Sequence, residues 1–256
     1  MTHYHVLLAL PADVELTDEP FHAAIASALA PYNKLTPIES IVEDGVERWG
    51  NPTGKLDRYR IGGYEYGSYL PLRAGAAAAD TIRGAVGYHS DPTYSDGGRI
   101  RALDFERKRA ELAAEAGSDW DEYSTVVAGT PPHRPWTEFR DRPEYTIAQA
   151  HREYHAQPRV AAIHAHRPYQ GQLLVGLWPE DIIGDLDRDT YIQQCRDGAI
   201  PGWATLTHDG RWLAPASTPG PGDETPESFD AYLAEANAYL DTLPGDMSLV
   251  ALDCHI

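Results

Sequence analysis

The chain has little cysteine, little lysine and no long hydrophobic run. Its two cysteines, Cys195 and Cys254, are too few for a disulfide framework in a protein of 256 residues. The apolar run at the start, Val6–Leu10, is only five residues long, whereas a membrane-spanning helix needs about 20. These absences predict a cytoplasmic protein that has no signal peptide and does not enter the membrane.

Basic residues are scarce and unevenly placed. The formal net charge is −18, and no lysine or arginine follows Arg211, although acidic residues continue to the end. Nucleic-acid affinity comes mainly from basic side chains that neutralise phosphates, so direct nucleic-acid binding is not expected. The 42% of hydrophobic residues is enough for a packed core, and the acidic stretch after Arg211 suits a basic protein partner.

The length of 256 residues predicts one α+β domain over 1–256, or two interlocked parts at 1–166 and 167–256. The first part begins with a strand and a helix that starts at Asp18 and stops before Pro31. Residues 50–75 read as two strand pieces around a bulge or tight turn at Gly62-Gly63. A helical middle segment follows, with helices expected at 101–116, 145–156 and 158–165.

The order of elements in the second part, 167–256, predicts a ferredoxin-like arrangement. Asp209-Gly210 is a strong hairpin signal between two short strands. The whole order is strand, helix, strand, strand, helix, strand, which is the split βαβ series. The predicted elements are Gln172–Trp178, Asp187–Asp197, Trp203–Thr207, Arg211–Ala214, Glu227–Leu243 and Met247–His255.

The first candidate site is a segment rich in tyrosine and glycine. Alternation along a strand places Tyr64 and Tyr66 on one face, where their rings can stack on a planar ligand. Gly62 and Gly63 allow a ligand to approach the backbone closely. The alternative is an edge strand whose tyrosines cover the sheet and whose glycines form a bulge. No phosphate-loop or dinucleotide fingerprint accompanies these glycines.

The second candidate is a histidine cluster. His151 and His155 are four residues apart on a predicted helix and therefore share a face, and His164 and His166 follow. Three such histidines can hold a zinc or iron ion. The spacing differs from the HExxH metalloprotease motif, because Glu153 lies on the opposite side of the helix from His151. A metal-free surface helix is the alternative.

The third candidate is the C-terminal strand. Asp253 and His255 share one face of it and Cys254 occupies the other, so His255 cannot activate the cysteine directly. An aspartate-oriented His255 can act as a general base. His3 and His5 share a face of the first strand, which a ferredoxin-like sheet places beside the last one. The alternative is a buried core cysteine with polar neighbours at a strand end.

Three stretches carry a resemblance to a protein family. Residues 51–63 read NPTGKLDRYRIGG, residues 200–212 read IPGWATLTHDGRW, and the chain ends in LDCHI. The chain resembles an uncharacterised family of bacterial and phage proteins that carry NPxGKWDWYxIGGRW and end in VDCHI. Tyr64-Glu65 stands here in place of that family's Arg-Trp. The residues that match the family motifs are Asp57, Tyr59, Gly62, Gly63, Asp253, Cys254 and His255.

These observations leave three functional hypotheses. The first is a protein that binds a small polar or aromatic metabolite between the Tyr-Gly segment and the last strand. If this protein is an enzyme, His255 is the general base, Asp253 orients it, and Tyr59 and Tyr64 position the substrate. The second is a metal-dependent hydrolase that uses His151 and His155. The third is a non-enzymatic phage or host accessory factor with an acidic docking surface. The sequence identifies no cofactor.

Overall fold

The computed structural model describes residues 3–36, 39–43, 46–51, 54–62, 69–83, 91–166, 183–184, 186–216 and 226–255. The chain divides into two compact units. The first combines Met1–Ala110 with Asp197–Ile256, and the second is Glu111–Arg196. The limits of these units lie near residues 110 and 197.

Helices and strands are mixed along the chain, which confirms the predicted α+β class. The strands are β1 His3–Leu10, β2 Glu39–Glu43, β3 Val46–Gly50, β4 Arg58–Ile61, β5 Leu70–Pro71, β6 Thr81–Ile82, β7 Tyr94–Ser95, β8 Gly97–Arg99, β9 Ala204–Leu206, β10 Trp212–Leu213 and β11 Ser248–His255. The helices are α1 Asp18–Leu29, α2 Phe105–Val127, α3 Thr137–Arg140, α4 Ile147–His155, α5 Pro158–His166, α6 Arg188–Asp197 and α7 Pro226–Asp241. No helix in these ranges is long and apolar enough to cross a membrane.

The first and last strands form the centre of the main sheet. β1 pairs with β11 in antiparallel fashion along its whole length, from His3 opposite His255 to Leu10 opposite Ser248. On its other side β1 pairs in parallel with β9, and β9 pairs with β10 at the edge. β11 in turn pairs with both β4 and β8. The two ends of the chain therefore lie side by side.

Helix α7 connects two strands that run in the same direction. β10 is antiparallel to β9, β9 is parallel to β1, and β1 is antiparallel to β11, so β10 and β11 are parallel. β9 and β1 lie between them. The strand predicted at 172–178 falls outside the described residues, and it is β1 that separates the C-terminal hairpin from β11.

One face of the sheet is apolar and packs on α1. β1 contributes Tyr4, Val6, Leu8 and Leu10 in strict alternation, because every second side chain of a strand points to the same face. α1 supplies its buried side chains at a helical spacing. Burying each large aliphatic side chain stabilises the fold by about 1.5–3 kcal/mol. The helix residues in this core are Phe21, Ile25 and Leu29.

Strand β8 passes very close to its neighbours because it contains two glycines. Gly97 has φ +152°, and a Cβ there would lie 2.2 Å from the carbonyl oxygen of Leu249 in β11. Gly98 has φ +153°, and a Cβ there would lie 2.3 Å from the carbonyl oxygen of Asp80. Since real side chains do not tolerate such distances, this part of the sheet requires glycine.

Helix α2 differs from its prediction. The sequence suggested that it ends at Gly117, but it continues to Val127. Gly117 lies inside the helix, where a Cβ would come within 3.0 Å of the Arg188 guanidinium. The glycine thus makes room for packing and does not terminate the helix. The helices predicted at 145–156 and 158–165 are confirmed as α4 and α5, and Thr146 and Gln149 form a capping box at the start of α4.

Candidate functional site

Polar side chains from three adjacent strands share the face of the sheet opposite α1. His255 of β11 lies opposite His3 of β1 and Arg58 of β4. Two residues earlier in β11, Asp253 lies opposite His5 of β1 and Arg60 of β4. Alternation keeps all of these side chains on the same side of the sheet. We call this set the histidine face: His3, His5, Arg58, Arg60, Asp253 and His255.

His255 is held by Asp57, which immediately precedes β4. The Nδ1 atom of His255 lies 2.7 Å from Oδ1 of Asp57, and the backbone N–H of Asp57 donates to the carbonyl oxygen of His255. This hydrogen bond from His255 lowers the pKa of the Asp57 carboxyl. An ionised carboxylate only accepts hydrogen bonds, so the proton of the pair lies on Nδ1.

The second ring nitrogen of His255 is buried without a partner. His255 is 5% exposed, and its Nε2 atom contacts no hydrogen-bonding group among the described residues. A buried polar atom left in this way costs about 1–3 kcal/mol. With the proton on Nδ1, the neutral ring presents Nε2 as a hydrogen-bond acceptor. This arrangement is the one that a general base requires.

Asp253 is buried between a histidine and an arginine. Its carboxylate is 3.1 Å from Nδ1 of His3 and accepts a hydrogen bond of 2.9 Å from Nε of Arg60. Asp253 was expected to orient His255, and here the structure differs. The carboxylate bonded to Nδ1 of His255 is that of Asp57. The chain preceding β4 brings Asp57 closer to His255.

His5 is a second histidine with an unpartnered ring nitrogen. Its ring stacks on Tyr69, with centroids 5.4 Å apart, and its Nδ1 atom is buried without a hydrogen-bond partner among the described residues. Burial lowers the pKa of His5, Asp253 opposes this shift, and Arg60 and Lys108 add to it. Burial therefore favours the neutral form of His5.

The lowered pKa of His5 predicts a loss of stability in mild acid. Below pH 6.5, the ordinary pKa of histidine, the unfolded chain binds a proton at His5 more readily than the folded chain does. The free energy of unfolding should then fall as the pH decreases towards the folded-state pKa. His5→Phe, which keeps the ring on Tyr69 and cannot titrate, should show a smaller fall in urea unfolding between about pH 7.5 and 5.5. Equal slopes in the variant and the parent would contradict this, and exposed His22→Gln serves as the control.

The Tyr-Gly segment is only partly described. Of its described residues, Tyr69 stacks on His5, whereas Tyr59 and Gly62 do not join the histidine face. Tyr59 lies opposite Cys254 and packs against the apolar core. Gly62 has φ +94°, and a Cβ there would lie 2.8 Å from Oδ1 of Asp96. A glycine at position 62 thus leaves room for the Asp96 carboxylate. Gly63, Tyr64 and Tyr66 lie outside the described residues.

Cys254 is buried on the apolar face, as its strand position predicted. Its side chain belongs to the core beneath α1. Burial raises the pKa of the thiol, which keeps it protonated and unreactive. Cys254 is therefore part of the packing of the sheet.

The histidines of α4 and α5 form an aromatic cluster. The rings of His151 and His155 are stacked with centroids 6.0 Å apart, and the ring of His164 lies 4.8 Å from that of His155. Trp136 packs 4.5 Å from His151. Within the described ranges no group of three or more histidine, cysteine, aspartate or glutamate residues is arranged to hold a metal ion.

Sequence reasoning missed the basic side chains of the histidine face. Arg58 and Arg60 are two residues apart on a strand, which is a signal for a shared face, but only the pairing with β11 places them beside Asp253 and His255. Lys108 was missed as well, and its Nζ atom lies 5.1 Å from the centre of the Tyr69 ring.

Fold and site together define an α+β protein with a carboxylate-oriented histidine on its main sheet. The chain matches no protein-family model, and comparisons with curated proteins and with solved structures gave no significant match.

Proposed function

We propose that this protein binds a small polar metabolite on the histidine face and acts on it as an enzyme. His255 is the general base, and Asp57 holds its ring in the reactive tautomer. The observation that carries the proposal is the buried Nε2 atom of His255, unpartnered among the described residues, together with its Nδ1 bond of 2.7 Å to Asp57. Buried polar atoms normally have partners, so a ligand that supplies one explains the arrangement.

The remaining residues of the site have supporting roles in this proposal. Asp253 fixes His3 and Arg60 beside the base, and His5 adds a second acceptor or donor for the ligand. Tyr64 and Tyr66 remain proposed ligand-stacking residues. Tyr59 has no such role here, since it packs in the core.

The ferredoxin-like fold and the cytoplasmic location are proposals as well. A ferredoxin-like relation of the C-terminal elements is supported by the hairpin β9–β10 and by the crossover through α7. The parallel pairing of β1 with β9 is a departure from that pattern, whose neighbouring strands are antiparallel. A cytoplasmic location and a relation to bacterial and phage proteins follow from the sequence arguments alone.

A ligand screen tests the proposal. Thermal unfolding is measured with a panel of sugar phosphates, nucleotides, amino acids and organic acids, for the parent protein and for His255→Gln. Glutamine preserves a donor to Asp57 but lacks the basic ring nitrogen. We expect at least one compound to raise the Tm of the parent by about 2 °C or more and to leave the variant unchanged.

The matched control is His22→Gln, which removes an exposed histidine from α1, on the other side of the sheet. It should respond to ligands as the parent does. Equal shifts in the parent and His255→Gln would contradict the proposed site. A panel without any hit, combined with a salt-sensitive complex with a basic protein, would favour the accessory-factor hypothesis instead.

A further inference from the structure

The histidine face holds two buried ring nitrogens that lack a hydrogen-bond partner among the described residues. They are Nε2 of His255 and Nδ1 of His5. Because the proton of His255 lies on Nδ1 and is directed to Asp57, its Nε2 atom accepts a hydrogen bond. The neutral ring of His5 carries its proton on one nitrogen or the other, and a hydroxyl group satisfies Nδ1 in both cases, since it both donates and accepts. Hydroxyl groups therefore fit both nitrogens, whereas a carboxylate cannot donate to Nε2 of His255.

The two rings lie within reach of one small ligand. His5 lies opposite Asp253, and His255 lies opposite His3. His5 and His255 are therefore diagonal neighbours on one face of the sheet, and such neighbours are about 7–8 Å apart. The ring of His255 meets that of His3 edge-on, with centroids 5.1 Å apart, and the ring of His5 stacks on Tyr69. These contacts hold both rings in place, so a ligand with two hydroxyl groups can hydrogen-bond to both.

The charged side chains beside these rings already pair with one another. Oδ1 of Asp57 lies 2.7 Å from Nδ1 of His255 and 4.0 Å from Nε of Arg58. Asp253 accepts a hydrogen bond of 2.9 Å from Nε of Arg60. Each carboxylate is thus matched by a guanidinium group. An ionised ligand would lose its hydration at this site without gaining a charged partner of its own, which is unfavourable. The site therefore suits a neutral ligand.

The two lysines near the site do not select an anion either. The Nζ atom of Lys108 lies 5.1 Å from the centre of the Tyr69 ring and 5.7 Å from that of Tyr94, so aromatic rings already bind this cation. Lys34 is exposed to solvent, and it has the smallest effect among the groups that lower the pKa of Asp57. Solvent and salt screen such an exposed charge.

From the unpartnered nitrogens and the paired charges we infer that the substrate is a small neutral polyol, such as a sugar without phosphate, carboxylate or amino groups. One hydroxyl group donates to Nε2 of His255, and a second hydrogen-bonds to Nδ1 of His5. The inference rests on the proposed function, because the hydroxyl group at His255 is the one that the general base activates.

Matched sugars test whether the site requires a neutral ligand. D-glucose and D-galactose are each compared with their 6-deoxy form, their 6-amino-6-deoxy form and their uronic acid in calorimetric titrations at neutral pH and constant ionic strength. The three derivatives lose the same hydroxyl group, and only the last two gain a charge. For at least one of the two series, we expect the sugar and its 6-deoxy form to bind at least about tenfold more tightly than both charged forms. Charged forms that bind as tightly as the 6-deoxy form would overturn the inference, as would the absence of binding by either sugar.

Two substitutions of His5 test the second hydrogen bond. His5→Phe keeps a ring on Tyr69 but offers no hydrogen-bonding atom, so the affinity for the sugar should fall by about tenfold. His5→Asn places an amide close to the position of Nδ1 and should stay within about threefold of the parent. A purely structural role of His5 would weaken binding in both variants alike, and urea unfolding shows that each is folded. Exposed His22→Gln is the control. Equal affinities of His5→Phe and the parent would overturn the inference.

The outcome is distinguishable from a failure of the proposed function. If neither sugar binds but a compound of another class binds in a manner that requires His255, the polyol inference is wrong and the general-base site stands. If no compound of any class requires His255, both are wrong.

Discussion

Asp57→Asn is expected to reduce the turnover of any substrate found by the ligand screen by about 100-fold or more. The Asp57 carboxylate accepts the Nδ1 proton of His255 and so leaves Nε2 free to take a proton from the substrate. An asparagine can present its amide N–H₂ to Nδ1, which moves the ring proton to Nε2 and removes the base. Ligand affinity should change by less than about threefold, because the carboxylate is the partner of His255 and not of the ligand.

Initial rates at saturating substrate measure this effect. Asp209→Asn is a suitable control, since Asp209 is a half-exposed carboxylate of the β9–β10 turn that pairs with Arg211. The control should retain the full kcat. If Asp57→Asn kept more than half of the parent kcat, the ring of His255 would not depend on this carboxylate for its chemistry.

The largest expected effect on stability concerns Gly97→Ala. A Cβ at this position would lie 2.2 Å from the carbonyl oxygen of Leu249, and the residue has a positive φ of +152°. Relief of this overlap requires β8 to move away from β11, with loss of ladder hydrogen bonds. We expect the free energy of unfolding to fall by about 3 kcal/mol or more, a large part of the stability of a typical domain.

Gly75→Ala shows how much of the loss of stability comes from the backbone conformation and how much from the steric overlap. Gly75 also has a positive φ, +77°, but a Cβ there would meet nothing within 4 Å. Its substitution should therefore cost only about 1 kcal/mol, from the backbone strain alone. Urea unfolding of both variants gives the comparison. Similar urea-unfolding midpoints for Gly97→Ala and Gly75→Ala would show that β8 does not approach β11 this closely.

The central part of the fold follows from local signals in the sequence. The apolar runs of β1 and β11 and the Asp209-Gly210 turn each specify their element without reference to the rest of the chain. β5, β6 and β7 have only two residues each, too few for a periodic pattern. Their existence depends on pairing with strands outside their own local segment, which local patterns do not specify.

The candidate site, too, follows from local sequence signals only in part. Alternation alone places His3 with His5 on one face of β1 and Asp253 with His255 on one face of β11, because it depends only on strand geometry; the shared face of all four depends on the β1–β11 register. The partner of His255 depends on the register between β4 and β11, whose residues are almost 200 positions apart. Asp57 entered the sequence analysis only through the family motif, and nothing in its spacing linked it to a histidine.

The protonation of the His255 ring tests the central claim most directly and requires no ligand. Long-range proton–nitrogen correlation NMR distinguishes the two nitrogens, and His255→Gln assigns the signal by its loss. At about pH 9, where imidazole rings are neutral, we expect the proton on Nδ1 and a bare Nε2. A ring with its proton on Nε2 would contradict the account, because the one nitrogen left to accept a proton, Nδ1, faces Asp57.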